Sequence, residues 1–357
     1  MDMAALGSLM FGLVLLVAGA EVLVRGASQL AVLLGVAPLI IGLTIVAYGT
    51  SAPEMAVSLQ SNFLGEAGIS IGNVVGSNIC NVLFILGASA MITPLIVAIQ
   101  LVKLDVPIMI GVSLLFTALV RDGSLDRGDG IILLLGAVFY TFFLFSQGRD
   151  DDAEEYDPEE AENQRSNFGV WAFNIGLIAL GGGMLTYGST FLVKGAVSIA
   201  QYFGLSNLII GLTIIALGTS LPEAATSVMA SLKGERDIAV GNVVGSNIFN
   251  ILAVLGVAGI FSPTSIEVST AALNFDIPVM VAVAIACLPI FFSGNVISRW
   301  EGIVFLAYYV AYMAYVILDA TNHDSLPIYS GVLATFVIPL TVITLFIIVA
   351  RELRKQP

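Results

Sequence analysis

A block of 46 residues occurs twice in this chain. Gly42–Gly87 reads GLTIVAYGTSAPEMAVSLQSNFLGEAGISIGNVVGSNICNVLFILG and Gly211–Gly256 reads GLTIIALGTSLPEAATSVMASLKGERDIAVGNVVGSNIFNILAVLG. At a constant offset of 169 residues, 27 of the 46 positions are identical without a gap. The same offset pairs Leu23-Val-Arg-Gly-Ala27 with Leu192-Val-Lys-Gly-Ala196, and a slip of two residues pairs Asp105-Val-Pro107 with Asp276-Ile-Pro278. Whatever one copy forms, the other forms too, so the fold is built from two like units.

The medium those units fold in follows from composition. Of 357 residues 58% are hydrophobic and only 11% charged, with mean hydropathy +0.99, whereas a hydrated globular surface needs roughly 25% charged residues. A soluble domain, a disordered chain, a disulfide scaffold and a nucleic-acid binder are all excluded, and an all-α polytopic membrane protein remains. A crossing helix needs about 20 apolar residues. Eleven segments qualify: Leu6–Leu33, Ala37–Leu64, Ile69–Ile92, Val106–Val120, Gly130–Phe145, Phe168–Ala200, Leu208–Leu232, Ile238–Phe261, Ile277–Phe292, Ile303–Leu318 and Gly331–Ala350. The first and sixth are long enough to be strongly tilted. The amino end lacks a basic region and reads as the first span rather than a cleaved signal. Cys80 and Cys287 fall inside apolar spans, far apart in sequence, and carry no disulfide argument.

The repeat and the span count together fix a topology. Each copy covers five spans, an odd number, so two copies in series cross the bilayer in opposite directions. The expected organisation is a first five-helix repeat (1–147), a linker (148–167), a second, inverted five-helix repeat (168–318), and a loop with an eleventh, C-terminal helix and a basic tail (319–357). This is the inverted-repeat plan of secondary transporters, whose site lies near the midplane where the repeats meet. Placing the amino terminus outside puts ten basic residues inside (Arg25, Lys103, Arg149, Arg165, Lys233, Arg236, Arg299, Arg351, Arg354, Lys355) and three outside (Arg121, Arg127, Lys194). By the positive-inside rule the linker and carboxyl terminus are then cytoplasmic, and the membrane is the plasma (inner) membrane. Nine of the 26 acidic residues lie between Asp150 and Glu162, an unpatterned run that reads as a solvated connector.

Polar residues inside the spans carry the chemistry. Gly49-Thr-Ser-Ala-Pro-Glu54 lies near the centre of the second span and Gly218-Thr-Ser-Leu-Pro-Glu223 near the centre of the seventh. A carboxylate at that depth costs at least ~2.5 kcal/mol to insert. No Lys or Arg lies in the core of a repeat helix to offset it, so a bound cation is the expected partner. Pro53 and Pro222 each remove an amide donor and break the helix. The carbonyls of Ala47, Thr50, Ala216 and Thr219 become candidate ligands, joined by the hydroxyls of Thr50, Ser51, Thr219 and Ser220. The third and eighth spans repeat GN-x-x-GSN, placing Ser77 with Asn81, and Ser246 with Asn250, on one helical face. For Asn73, Asn78, Asn242 and Asn247 a role as polar links between helices is the competing reading. His323 is the single histidine and lies in a terminal loop. An all-oxygen site suits a hard cation such as Ca2+, which takes about 6–8 oxygens. Two negative charges balance one Ca2+, or are shared by Na+ or protons, and competition for one charge pair is the simplest basis for antiport.

With these motifs in duplicate, the chain resembles the calcium/cation antiporter superfamily, in its prokaryotic Na+/Ca2+ exchanger branch, over about residues 1–320. The resemblance implies a secondary transporter, not an enzyme, in which several Na+ entering on their gradient drive one Ca2+ out by alternating access. It also implies sliding of the first and sixth helices. It implies Glu54 and Glu223 as central ion ligands, with Ala47, Thr50, Ser51, Ser77, Asn81, Ala216, Thr219, Ser220, Ser246 and Asn250 around them. No cofactor is expected, nor a nucleic-acid partner. The substrates are Ca2+ and Na+, and the surroundings are lipid. Some members carry an acid at one of the positions of Asn81 and Asn250, whereas both are Asn here, and members commonly stop after ten spans. An H+/Ca2+ antiporter using the same glutamates as proton carriers, and a cation channel, are the competing readings.

Overall fold

The computed structural model describes residues 3–66, 68–147 and 168–353. In chain order the long elements are α1 (Met3–Leu34), α2 (Pro38–Thr50), α3 (Ala52–Phe63), α4 (Gly68–Ile92), β1 (Leu95–Ile96), α5 (Leu101–Asp122), β2 (Ser124–Leu125) and α6 (Arg127–Gln147). They continue as α7 (Phe168–Tyr202), α8 (residues 207–218), α9 (Leu221–Lys233), α10 (Arg236–Phe261), β3 (Ile266–Glu267), α11 (Ala272–Phe292), β4 (Val296–Ile297), α12 (Arg299–Ala320) and α13 (residues 326–353). Among the described residues nine continuous helices are long and apolar enough to cross a membrane, and the bent pair α2 and α3 makes a tenth. The seventh segment of the sequence is the broken run α8 and α9. The acidic linker and the tail residues Arg354 and Lys355 lie outside the described residues.

The fourth span begins five residues before the expected Val106, because a π turn, Leu101–Asp105, precedes Pro107. The ninth does the same, with a π turn at Ala272–Asp276 before Pro278. A proline supplies no amide to the turn before it, and the wider turn reroutes the carbonyls left over.

Two short strand pairs test the topology. β1 pairs antiparallel with β4, Leu95 opposite Ile297, and β2 with β3, Leu125 opposite Ile266. Paired strands lie on one side of the bilayer, so an even number of crossings separates each pair. Counting the broken run α8 and α9 as one crossing gives four between β2 and β3 and six between β1 and β4. Without that crossing both counts would be odd. The broken run therefore crosses, and the two five-span units are inverted.

The first and sixth spans pair along their whole length through residues spaced seven apart. A Cβ on Gly12 would sit 2.7 Å from the carbonyl oxygen of Gly188, and one on Gly19 would sit 3.0 Å from that of Gly181. A Cβ on Gly195 would sit 2.7 Å from the oxygen of Ala5. Only hydrogen at these positions lets the antiparallel backbones meet, which in lipid is where helix association gains its van der Waals energy. The helix α13 is different. Its apolar window is 0% buried; it lies against α11 and is tied to α12 by the Tyr308 and Thr341 hydroxyls and a bond from Tyr329 Oη to Ala311 O (2.8 Å).

Candidate cation site at the crossing of the repeats

In the second span the helix stops at Thr50, Ser51 leaves helical geometry (φ −81°, ψ 6°), and a new helix starts at Ala52, bent by 41°. Pro53 occupies the first turn of the new helix, where a missing amide costs nothing. The seventh span repeats this at Ser220 (φ −83°, ψ 2°) before Pro222. Each break thus creates a helix amino end at membrane depth. Glu54 and Glu223 lie in the first turns of α3 and α9, where the positive end of the helix dipole favours a carboxylate. Both are completely buried, at 0% exposure.

The breaks meet at the crossing of α4 and α10. Ser51 Oγ donates to Glu223 Oε1 (3.1 Å), and Ser77 Oγ donates to Glu54 Oε1 (3.4 Å). Ser220 Oγ lies 3.2 Å from Ser77 Oγ. The Thr50 hydroxyl donates to Asn242 Oδ1 (3.1 Å) and the Thr219 hydroxyl to Asn73 Oδ1 (3.3 Å). Asn73 and Asn242 therefore hold the threonines beside the two breaks. They also tie α4 to α3 and α10 to α9 by donating to the carbonyls of Glu54 (3.2 Å) and Glu223 (3.4 Å). The carbonyl of Ala47 already accepts the Ser51 amide at 3.0 Å, and the Thr50 hydroxyl lies 3.3 Å from it.

What this network leaves unused is informative. Glu54 Oε2, Glu223 Oε2, Asn81 Oδ1, Asn250 Oδ1 and Ser246 Oγ are buried without a hydrogen-bond partner. An unsatisfied buried polar atom costs about 1–3 kcal/mol, more if charged, and such atoms are uncommon enough that each needs a reason. Of the twelve such atoms among the described residues, five belong to residues of the two repeated motifs, and two of these are carboxylate oxygens. Using both oxygens of each carboxylate raises the set from five to seven. Among the described residues no three of His, Cys, Asp and Glu form a metal-binding group, so neutral oxygens supply most of any coordination shell.

The repeats are not in the same conformation. On the face opposite the amino end α2 packs tightly on α10: a Cβ on Gly245 would lie 2.5 Å from the carbonyl oxygen of Leu43, and one on Gly241 would lie 3.0 Å from that of Leu39. On the amino-end face the corresponding glycines of α4, Gly72 and Gly76, have nothing within 4 Å of such a Cβ. Ala47 is buried, whereas its counterpart Ala216 is exposed. The crossing is thus packed more loosely on the amino-end face, beside Gly72, Gly76 and Ala216, than on the other face.

All twelve residues singled out in the sequence lie at the two breaks and on the crossing helices, with Ala216 exposed. Sequence reasoning gave no role to the Tyr140–Asp105 bond (3.0 Å) or the Tyr312–Asp276 bond (2.9 Å). The recurrence of Asp105 at Asp276 was visible, and a Tyr standing 35 or 36 residues after each Asp was the signal for its partner.

A sequence profile of the family described as sodium/calcium exchanger protein matches residues 4–146 and 173–318. The chain belongs to the sodium/calcium exchanger family. It is 35% identical over 340 residues to the sodium/calcium exchanger MaX1 of Methanosarcina acetivorans, an alignment covering 85% of this chain and 96% of that one. It is 37% identical over 282 residues to the inner membrane protein YrbG of Escherichia coli, covering 78% and 87%. Its fold is similar to that of the sodium-calcium exchanger NCX_Mj, solved after soaking with zero Na+ and Ca2+. The TM-score is 0.75 at 31% identity, covering 88% of this chain and 100% of that one. This exchanger-family chain is thus an integral membrane protein of the cation antiporter class. The family match ends before α13.

Proposed function

We propose that the protein is a Na+/Ca2+ antiporter whose ions bind at Glu54 and Glu223. The observation that carries this reading is the set of five unpartnered buried oxygens from Glu54, Glu223, Asn81, Asn250 and Ser246. Two carboxylates and neutral oxygens suit Ca2+, which tolerates irregular coordination by oxygen, and they also accommodate Na+. Ser51, Ser77, Thr50, Thr219, Ser220 and the carbonyls of Ala47 and Ala216 complete the ligand sphere as the ions exchange. One Ca2+ neutralises the two glutamates, as do two Na+, and a further Na+ on neutral oxygens makes the exchange electrogenic. Emptying the site leaves two unpaired charges in a low-dielectric interior, so the loaded forms cross and the empty one does not. The crossing itself exchanges the roles of the repeats: α8 closes on α4 while α2 leaves α10.

The amino end outside, with the acidic linker and carboxyl terminus in the cytoplasm of an inner membrane, follows the ten-to-three partition of basic residues. On that orientation the more loosely packed face of the crossing is the outward one. The test is uptake of radiolabelled Ca2+ into proteoliposomes with an imposed Na+ gradient and clamped pH. Uptake that follows the Na+ gradient supports the reading, and uptake that ignores Na+ and follows a pH gradient replaces it with H+ coupling.

A further inference from the structure

Four asparagines at the centre of the molecule form a closed figure. Asn78 Nδ2 donates to the backbone oxygen of Asn247 (3.0 Å), and Asn247 Nδ2 donates to the backbone oxygen of Asn78 (3.4 Å). Each amide nitrogen also approaches a methionine sulfur on a flanking span, Asn78 to Met280 Sδ (3.7 Å) and Asn247 to Met109 Sδ (3.6 Å). With both N–H groups spent, each side chain turns its oxygen toward the ion-site asparagine of the other repeat. Asn247 Oδ1 accepts from Asn81 Nδ2 (3.0 Å), and Asn78 Oδ1 accepts from Asn250 Nδ2 (3.1 Å). The nitrogens of Asn81 and Asn250 are thereby held away from the site, and their oxygens, both unpartnered, are the ones left facing it.

We propose that Asn78 and Asn247 are positioning residues that fix the amide orientation of Asn81 and Asn250, and with it the charge and selectivity of the ion site. The inference deepens the ion-exchange reading above and rests on it. An Asn that flips offers a cation two N–H groups instead of a lone pair, so an unheld amide is a poor ligand. The clasp also explains why both positions are Asn in this chain. An Asp at 81 or 250 would set a carboxylate oxygen where an amide nitrogen now faces Asn247 Oδ1 or Asn78 Oδ1, acceptor against acceptor. The site charge is therefore set by two glutamates alone. The wiring is crossed: α10 orients the ligand on α4, and α4 orients the ligand on α10, so neither repeat completes its share of the site by itself.

The crossed wiring gives a test that general destabilisation does not mimic. Half-saturating Ca2+ is measured for Na+-driven uptake, and by Ca2+-dependent thermal protection of the purified protein, in a double-mutant cycle. Asn78→Leu and Asn247→Leu keep the branched shape of the side chain and remove the amide. Each is expected to raise half-saturating Ca2+ by roughly 10-fold, the scale seen when an outer-shell partner of a metal ligand is lost. Asn247→Leu added to Asn81→Ala should then change little further, because the residue it orients is gone, whereas Asn78→Leu added to Asn81→Ala should multiply. The pattern inverts with Asn250→Ala. If the Leu variants are not recovered folded, Asn78→Ser and Asn247→Ser take their place, since a serine hydroxyl is too short to reach across and the same pattern is expected. Equal coupling of Asn247 to both ligands, or none to either, overturns the proposal. If the wild-type protein takes up no Ca2+ on a Na+ gradient, the exchange reading itself fails. The cycle is then scored on thermal protection by Na+ and by Ca2+, where the same crossed pattern supports the clasp and its absence overturns it.

Discussion

Ser51 donates its hydroxyl to Glu223 Oε1 at 3.1 Å although 172 residues separate them in sequence. The break in one repeat thus touches the carboxylate of the other, and the two glutamates belong to one site rather than to two. The mirror contact is not equivalent. Ser220 stops at Ser77 Oγ (3.2 Å), and it is Ser77 that reaches Glu54. That inequality accompanies the opening of α8 away from α4.

Removing either charge should stop Ca2+ exchange without unfolding the protein. In Glu54→Gln or Glu223→Gln the shape is kept, and the buried carboxylate that needs a cation is replaced by an amide that does not. Sodium-driven Ca2+ uptake is expected to fall to background while thermal stability without Ca2+ is held or raised. Robust uptake by either variant would remove the glutamates from the centre of the mechanism.

The difference between the two repeats can be probed chemically. Ala216 is exposed and its counterpart Ala47 is buried, and both native cysteines are buried, so the labelling background is low. A membrane-impermeant maleimide applied from the amino-end face should modify Ala216→Cys and spare Ala47→Cys. Equal rates at the two positions would show that the protein in the membrane does not rest in the state described above.

Much of this was legible in the sequence because it was written twice. The repeated Pro and Glu in each GTS-x-PE motif located both breaks and both carboxylates, and Ser77, Asn81, Ser246 and Asn250 fell on the crossing as their spacing required. What the repeat could not reveal is the difference between the copies. The closure of α2 on Gly241 and Gly245, and the open space at Gly72 and Gly76, arise from packing between nearly identical motifs, so no residue type marks which copy is shut. The clasp was half visible. Asn78 and Asn247 read as links between helices, but which atom each amide turns toward Asn81 or Asn250 depends on Met109 and Met280, on spans whose apolar sequence carries little pattern.

The pairing of the first and sixth spans offers a stability prediction with an internal control. A Cβ on Gly12 would lie 2.4 Å from the backbone nitrogen of Leu192, and one on Gly188 would lie 2.9 Å from that of Leu16, whereas one on Gly7 of the same helix meets nothing within 4 Å. Backbone cannot yield as a side-chain tip does, so Gly12→Leu and Gly188→Leu should each cost upward of the ~1–3 kcal/mol typical of overpacking. Gly7→Leu should be neutral. Thermal melts in detergent decide the matter, and a tolerated Gly188→Leu would mean that the two long helices are not held at backbone contact.

The last helix should be dispensable for exchange. Helix α13 buries none of its apolar window, the family match ends at residue 318, and all twelve candidate ligand residues precede it. Its polar attachments are the Tyr308–Thr341 hydroxyl pair and the Tyr329 bond to Ala311. In water, stripping such a helix would expose an apolar face at great cost, but in a bilayer lipid tails replace it at nearly equal free energy. A chain truncated after Ala320 leaves Tyr308 with a free hydroxyl, at about 1–3 kcal/mol if it finds no new partner, and leaves the crossing of α4 and α10 untouched. Half-saturating Ca2+ for Na+-driven uptake should therefore stay within about twofold of the full-length value, a difference below 0.5 kcal/mol in binding, while thermal stability falls modestly. A truncated protein that folds, binds Ca2+ and does not transport it would place α13 in the moving machinery, most directly by bracing α12 and α11 through the change of state.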